Sequence, residues 1–241
     1  MLAPLIKKLE RRFTISKADR AALESLNAYV APVRARNVFI LEGDAPDHAH
    51  LIHSGFACRY KALADGTRLI LGFLIPGDFC DLNAHLLGSV DYSVRTLSDC
   101  EIVQIPREAL SNTLSSYPIL DQGFRWMSLL DEGILREWLI SAKCRSAEKQ
   151  VGHLFCEFLL RLQAVGLSEE DSYDLPLTQA DIGDATGLST VHVNRMLQRL
   201  RSEKLLEFRD KRANILNVKA LTAFAEFNPR YLHLGSELKG T

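Results

Sequence analysis

The 241-residue sequence lacks a surplus of charge of either sign, with 29 Lys and Arg against 30 Asp and Glu. No global field draws such a chain onto nucleic acid or an anionic membrane, so any polyanion-binding surface must be local. Long apolar runs are missing as well. Nothing reaches the roughly 18 apolar residues of a membrane span, and the opening MLAPLIKKLERRF has no apolar core of signal-peptide length. A soluble, cytoplasmic protein with no membrane partner is therefore expected. Cysteine is sparse: Cys58, Cys80, Cys100, Cys144 and Cys156 are odd in number and scattered, with no pair at the two-residue spacing of zinc or iron-sulfur sites. Reduced, mostly buried thiols and no bound metal are the expectation. The phosphate-binding glycine loop, the G-x-S-x-G elbow and the metal-hydrolase signatures are all absent, which argues against an enzyme.

What the sequence does have is a change of rhythm along its length. Ser16 and Asp19 read as a capping box for a short helix over 16–28, striped by Ala21, Leu23 and Leu26. From Asn37 onward the apolar runs are short and closed by turn residues. Gly43, Gly55, Gly66 and Gly77 fall 12, 11 and 11 residues apart in EGD, HSG, ADG and PGD contexts, the interval of a strand plus a tight turn. A small antiparallel roll or barrel follows from that repeat. His48, His50 and His53 fall in one of these strands, where they read as polar residues of the outer face rather than as metal ligands.

At Pro118 the period becomes helical: Leu120, Phe124, Met127, Leu130, Ile134 and Trp138 recur at steps of three and four. This stripe could lie on its own roll, but pairing with a second copy is the preferred reading, making these six the seam of a homodimer. EKQVGHLFCEFLLRLQAVG reads as a second helix ended by Gly166, and SEEDSYD as an acidic loop. Thr178 then caps a short helix with Ala180, Ile182 and Ala185 inward, Gly187 permits a turn, and Ser189 caps a further helix burying Val193, Met196, Leu197 and Leu200. Helix, glycine turn and helix of these lengths is the DNA-binding helix-turn-helix plan. LLEFR and ANILNV can pair behind it across Asp210, Lys211 and Arg212 as a wing. Between Leu188 and Lys219 eight basic residues face three acidic ones, supplying locally the phosphate-binding charge that the whole chain lacks.

These segments resemble one family across nearly the whole chain, the cyclic-AMP receptor protein/FNR (Crp/Fnr) transcription regulators. FILEGDAPDHAHLIHSGFACRY and ADGTRLILGFLIPGDF resemble its β-roll, and LPLTQADIGDATGLSTVHVNRMLQRL its helix-turn-helix. The resemblance implies an α+β chain: an N-terminal antiparallel β-roll of the cyclic-nucleotide-binding, cupin-type jelly-roll kind over 1–116, a long dimerisation helix over 117–145, a winged helix-turn-helix over 146–222 and a C-terminal tail over 223–241. It also implies a homodimer on double-stranded DNA, working with RNA polymerase as activator or repressor. A sensing module that acts through a protein partner without DNA is the alternative.

Carried over by position, Arg195 matches the recognition-helix arginine that reaches DNA, with Asn194 beside it. Val191 stands where many members carry a base-reading Glu, so the half-site should differ from theirs. Thr178, Ser189, Thr190, His192, Arg199, Lys211 and Arg212 complete the expected DNA surface, with an apolar contact from Val191 to a thymine methyl as one route of readout. In the sensor, family members that bind cyclic nucleotide resemble a Gly-Glu pair after the PGD-F turn, followed by a phosphate-binding Arg. Here Cys80 and Asp81 occupy the pair and the Arg aligns near Val90 and Asp91, with Arg95 four positions away. Cyclic nucleotide is accordingly not expected, and Phe79, Cys80, Asp81, Leu82, Asp91 and Arg95 are candidate linings of a pocket for another signal. No Cys precedes Cys58, which departs from the cluster-bearing members. Phe79-Cys80, with His85 near, resembles the cysteine region of the haem-bearing ones without the second ligand's spacing. No cofactor is predicted: Cys80 reads as a buried thiol, with haem ligation or thiol redox chemistry as its alternatives.

Overall fold

The computed structural model describes residues 1–234. Two compact units emerge, one formed by residues 1–67 and 71–131, the other by 68–70 and residues from 132 onward. Among the described residues no helix is long and apolar enough to cross a membrane.

The first unit opens with helices α1 (Ala3–Glu10) and α2 (Lys17–Glu24). Ser16 caps α2 through the expected reciprocal bonds with Asp19, and Ala22 rather than Ala21 turns inward with Leu23. Strands β1 (Tyr29–Val33), β2 (Val38–Ile40), β3 (His48–Ser54), β4 (Ala57–Ala62), β5 (Arg68–Leu74), β6 (Ser93–Thr96) and β7 (Cys100–Pro106) follow, broken by the short helix α3 (Ala84–Leu87). They form two antiparallel sheets, ordered β1-β7-β3 and β2-β6-β4-β5. The four evenly spaced glycines all have φ between 83° and 94°, a region L side chains avoid. Gly55 is bound to be glycine for a second reason, since a Cβ there would lie 2.2 Å from the Asp99 carbonyl oxygen. Between the sheets, Ile40, Ile52, Val94 and Ile102 pack with Cys80 and Cys100 into one apolar core.

Helix α4 (Arg107–Ser116) leads into α5 (Pro118–Cys144), which begins on a proline and carries Asp121 in its first turn and Lys143 in its last. Here the seam expectation needs correction. Leu120, Phe124, Met127, Leu130 and Ile134 are each at most 6% exposed within the single chain, and the Trp138 indole donates to Glu157. The stripe faces inward because the Phe124 ring packs at a tilt against Phe79, centroids 5.3 Å apart, and Gly123 receives Leu9. A helix wide enough to bury one stripe keeps another outside, and here the outer face holds Leu129, Leu135, Leu139 and Ile140.

In the second unit α6 (Ala147–Val165) ends on Gly166 in the left-handed conformation. Next come β8 (Ser172–Asp174), α7 (Gln179–Thr186), α8 (Thr190–Ser202), β9 (Leu206–Arg209), β10 (Arg212–Ile215), α9 (Val218–Phe224) and a 3-10 turn, Pro229–Leu232. The sheet order is β8-β10-β9, so part of the expected acidic loop is a strand. Tyr173 draws it in, being buried with its hydroxyl donating to the Phe155 carbonyl at 2.7 Å. Of the expected tail, Ala225, Phe227, Leu232 and Leu234 are buried; its residues 235–241 lie outside the described residues.

Candidate nucleic-acid interface

The DNA-facing candidate is built from α7, a three-residue turn and α8. Thr178 accepts from the Asp181 backbone at 3.1 Å while Asp181 accepts from the Thr178 backbone at 2.8 Å, so the first orphan amides of α7 are satisfied at both ends of the box. Gly187 closes the helix at φ 72°. The decisive turn residue is Gly183, which sequence reasoning passed over: a Cβ there would meet the Leu188 carbonyl oxygen at 2.5 Å. Its signal was present as a glycine in mid-helix, where alanine would be the better helix former. Ser189 caps α8 by accepting from the His192 backbone.

Helix α8 buries Val193 and Leu200, while Met196 and Leu197, expected inside, are only partly covered. On α7 the buried residues are Asp181, Ile182 and Gly183, and Ala180 points to solvent; the capping carboxylate and the close approach of the turn take the inner face that two alanines were expected to fill. Outward stand Thr190, Val191 and Arg195, with His192 and Asn194 partly covered. Val191 is 70% exposed, an unusual place for an apolar side chain. Asn194 donates to Gln179 at 3.3 Å, tying the two helices together.

The basic residues separate into two groups. Arg199 pairs with Glu203 and Glu148, and Arg201 and Arg209 both pair with Glu207. Arg195, Lys204, Lys211 and Lys219 are exposed and have no ion pair among the described residues. Exposed pairs contribute little and exchange readily for a phosphate, so Arg199 stays available. Arg212, also expected on the DNA surface, is the most heavily engaged of the eight: its guanidinium, 38% exposed, reaches Glu169 at 2.8 Å, Asp174 at 3.0 Å and the Ser172 hydroxyl at 2.8 Å, which ties β8 to β10. Its hydrogen bonds to the Glu169 and Asp174 carboxylates raise its pKa further. Asp210 and Lys211, at φ 50° and 61°, make the two-residue turn of the wing and put the Lys211 side chain at its tip.

The expected effector residues do not converge. Phe79 and Cys80 are buried in the roll, and their carbonyls accept from Arg59 at 2.6 and 2.9 Å. The Tyr92 hydroxyl also donates to Cys80, and Arg59 continues to Asp131 at 2.9 Å. Burial, then the neighbouring Asp81, pushes the Cys80 thiol well above its ordinary pKa, which disfavours the thiolate that haem ligation or redox chemistry needs. Asp81 accepts from the His50 amide at 2.8 Å, the His50 ring at 2.9 Å and Arg107 at 2.9 Å. His50 is therefore an inward residue, not one of the outer face, and Arg107 has no sequence signal beyond being a basic residue at a strand-helix junction. Asp91 is exposed, and Arg95 lies over the Tyr60 ring at 5.9 Å. Of the six, Leu82 alone lines the large groove of this unit, about 890 Å³, with Leu86, Leu87, Leu114, Phe124 and Leu129.

Comparison with known proteins agrees with this division. Residues 31–117 match the cyclic nucleotide-binding domain family and residues 155–224 the Crp-like helix-turn-helix domain family. The chain is 24% identical to the transcriptional activator protein FnrL of Cereibacter sphaeroides over 209 residues, covering 85% of this chain and 84% of that protein. With the fumarate and nitrate reduction regulatory protein of Salmonella typhimurium it shares 26% identity over 214 residues, 88% and 85% of the two chains. The fold is that of FixK2 from Bradyrhizobium japonicum, with a TM-score of 0.71 at 22% identity over 82% of this chain and 97% of that one. A β-roll and a capped helix-turn-helix with its wing, matched in this order by both domain families and by relatives over 84–85% of their own length, place the chain in the Crp/Fnr family of DNA-binding transcription regulators.

Proposed function

We propose that the protein works in the cytoplasm as a homodimer that binds a pseudo-palindromic duplex, inserting one α8 into each of two successive major-groove faces about 34 Å apart. The observation that carries this reading is Arg195, exposed and without an ion pair among the described residues, one helical turn beyond Val191 on a helix whose amino end is capped and whose back is buried. Arg195 reads a guanine edge, Val191 contacts a thymine methyl, and Lys211 meets phosphate from the wing. Support for a two-fold partner comes from the outer face of α5, where Leu129, Leu135, Leu139 and Ile140 remain uncovered in one chain. A signal received in the roll shifts the placement of the two recognition helices, and by linkage DNA changes the affinity for that signal by the same factor. The bound dimer then assists or obstructs RNA polymerase at its sites.

Selection of duplexes from a random pool tests this directly. The wild-type protein is expected to enrich a two-fold symmetric sequence and Arg195→Ala to enrich none. Enrichment of an asymmetric single site, or of the same palindrome by both proteins, would overturn the reading.

A further inference from the structure

Glu157, buried in the middle of α6, joins three parts of the second unit. The Trp138 indole donates to its Oε2 at 3.0 Å from α5, and the Tyr231 hydroxyl donates to the same oxygen at 2.9 Å from the 3-10 turn. Arg161 holds the other oxygen at 3.0 Å. Tyr231 lies beyond residue 224, where the helix-turn-helix match ends, yet it is well anchored. Its ring stacks on His153, with centroids 5.9 Å apart and planes 16° from parallel, and Phe227 packs edge-on against both. Its carbonyl oxygen occupies the space beside Gly133, 3.0 Å from where a Cβ would stand on α5. Burial, reinforced by Glu157, raises the phenol pKa, so the hydroxyl stays a donor. Helix α6 packs in turn against the recognition helix α8.

We infer that Tyr231 is a positioning residue for DNA recognition: together with Trp138 it fixes, through Glu157, how the last turns of α5 meet the helix-turn-helix. The inference rests on the dimer reading above, because the helix that would carry the two-fold axis is the one that Trp138 belongs to. Two recognition helices held at a set separation accept one half-site spacing. Inserting one base pair moves the second half-site by about 3.4 Å and turns it by about 35°, which a firm joint rejects and a loosened one follows.

Tyr231→Phe keeps the ring, its stack on His153 and the packing of Phe227, and removes only the hydroxyl. Trp138→Phe removes the other donor to the same oxygen. Both variants, their combination and the wild type are to be measured on duplexes bearing the selected half-sites at the selected spacing, at one base pair more and one fewer, and on a single half-site. The wild type should prefer its own spacing by about tenfold or more. In Tyr231→Phe that preference should fall to about threefold or less, with half-site affinity unchanged and the double variant no worse than either single one. Undiminished spacing preference in Tyr231→Phe would overturn the inference. So would an equal loss on half-site and full-site DNA, which marks a folding defect. A wild-type protein that binds without any spacing preference would overturn the dimer reading, and this inference with it.

Discussion

Gly183 and Leu188 touch as closely as a helix and a turn can, the first offering no side chain where the carbonyl of the second comes within 2.5 Å of the missing Cβ. The amides of Gly187 and Leu188 both donate to the Gly183 carbonyl, so the contact is locked from either side. Gly183→Ala should therefore lower the stability of the DNA-binding unit by about 2–4 kcal/mol, despite alanine's better helix propensity. Chemical denaturation followed at that unit measures it, and a gain in stability would show that the turn can move aside.

Arg195, Lys211 and Arg212 should respond differently to replacement by alanine. Loss of Arg195 should cost about 1–3 kcal/mol on the specific site and much less on random duplex. Removing Lys211 should weaken all sequences alike and flatten the salt dependence by about one unit of slope. Arg212→Ala should leave the salt slope near that of wild type, because its guanidinium is committed to Glu169 and Asp174, and show instead as a loosened β8. Titrations at several salt concentrations separate the three, and a slope change for Arg212 as large as that for Lys211 would return it to the DNA surface.

Cys80 should resist alkylation in the folded protein and react only on unfolding, since it is buried and its thiol pKa is raised. Cys144, exposed at the end of α5, is the internal control, and a native-state rate for Cys80 comparable with that of Cys144 would reopen the redox reading. Beside it, Asp81→Asn leaves the largely buried Arg107 side chain without its carboxylate and should cost the roll about 3–5 kcal/mol.

His153 ties stability to pH. Burial, then the charge of Arg145, lowers its pKa to about 3. Its Nε2 lies 3.3 Å from Glu137 but forms no hydrogen bond, so the neutral ring contributes no ion pair. The unfolded chain protonates this histidine near pH 6.5 and the folded one does not, so its contribution is complete above the unfolded value and is lost as pH falls toward about 3. Between pH 7 and pH 5 the second unit should lose about 2 kcal/mol on this account. His153→Gln should remove most of that slope in denaturation curves taken across the range; an unchanged slope would assign it to other groups.

The order of roll, long helix and helix-turn-helix was legible in the sequence because it rests on local signals: glycines at tight turns, a capping box at Ser16, caps at Thr178 and Ser189, and a three-four apolar stripe. Each of these constrains a handful of neighbouring residues, and each reappears in the fold where local chemistry placed it. Which partner a stripe or a charge takes is not local. The periodicity of Leu120 to Trp138 says that one face of α5 is buried and nothing about what covers it, so only the tertiary structure could turn that face onto its own units and leave Leu129, Leu135, Leu139 and Ile140 outside. Arg212 and Lys211 are adjacent and equally basic, yet strand pairing delivers one to Glu169 and Asp174 and leaves the other at the wing tip. Glu157 gathers Trp138 and Tyr231, 19 and 74 residues away in the chain, and no sequence period links such positions: their meeting is decided by how helices pack, a property of the whole unit.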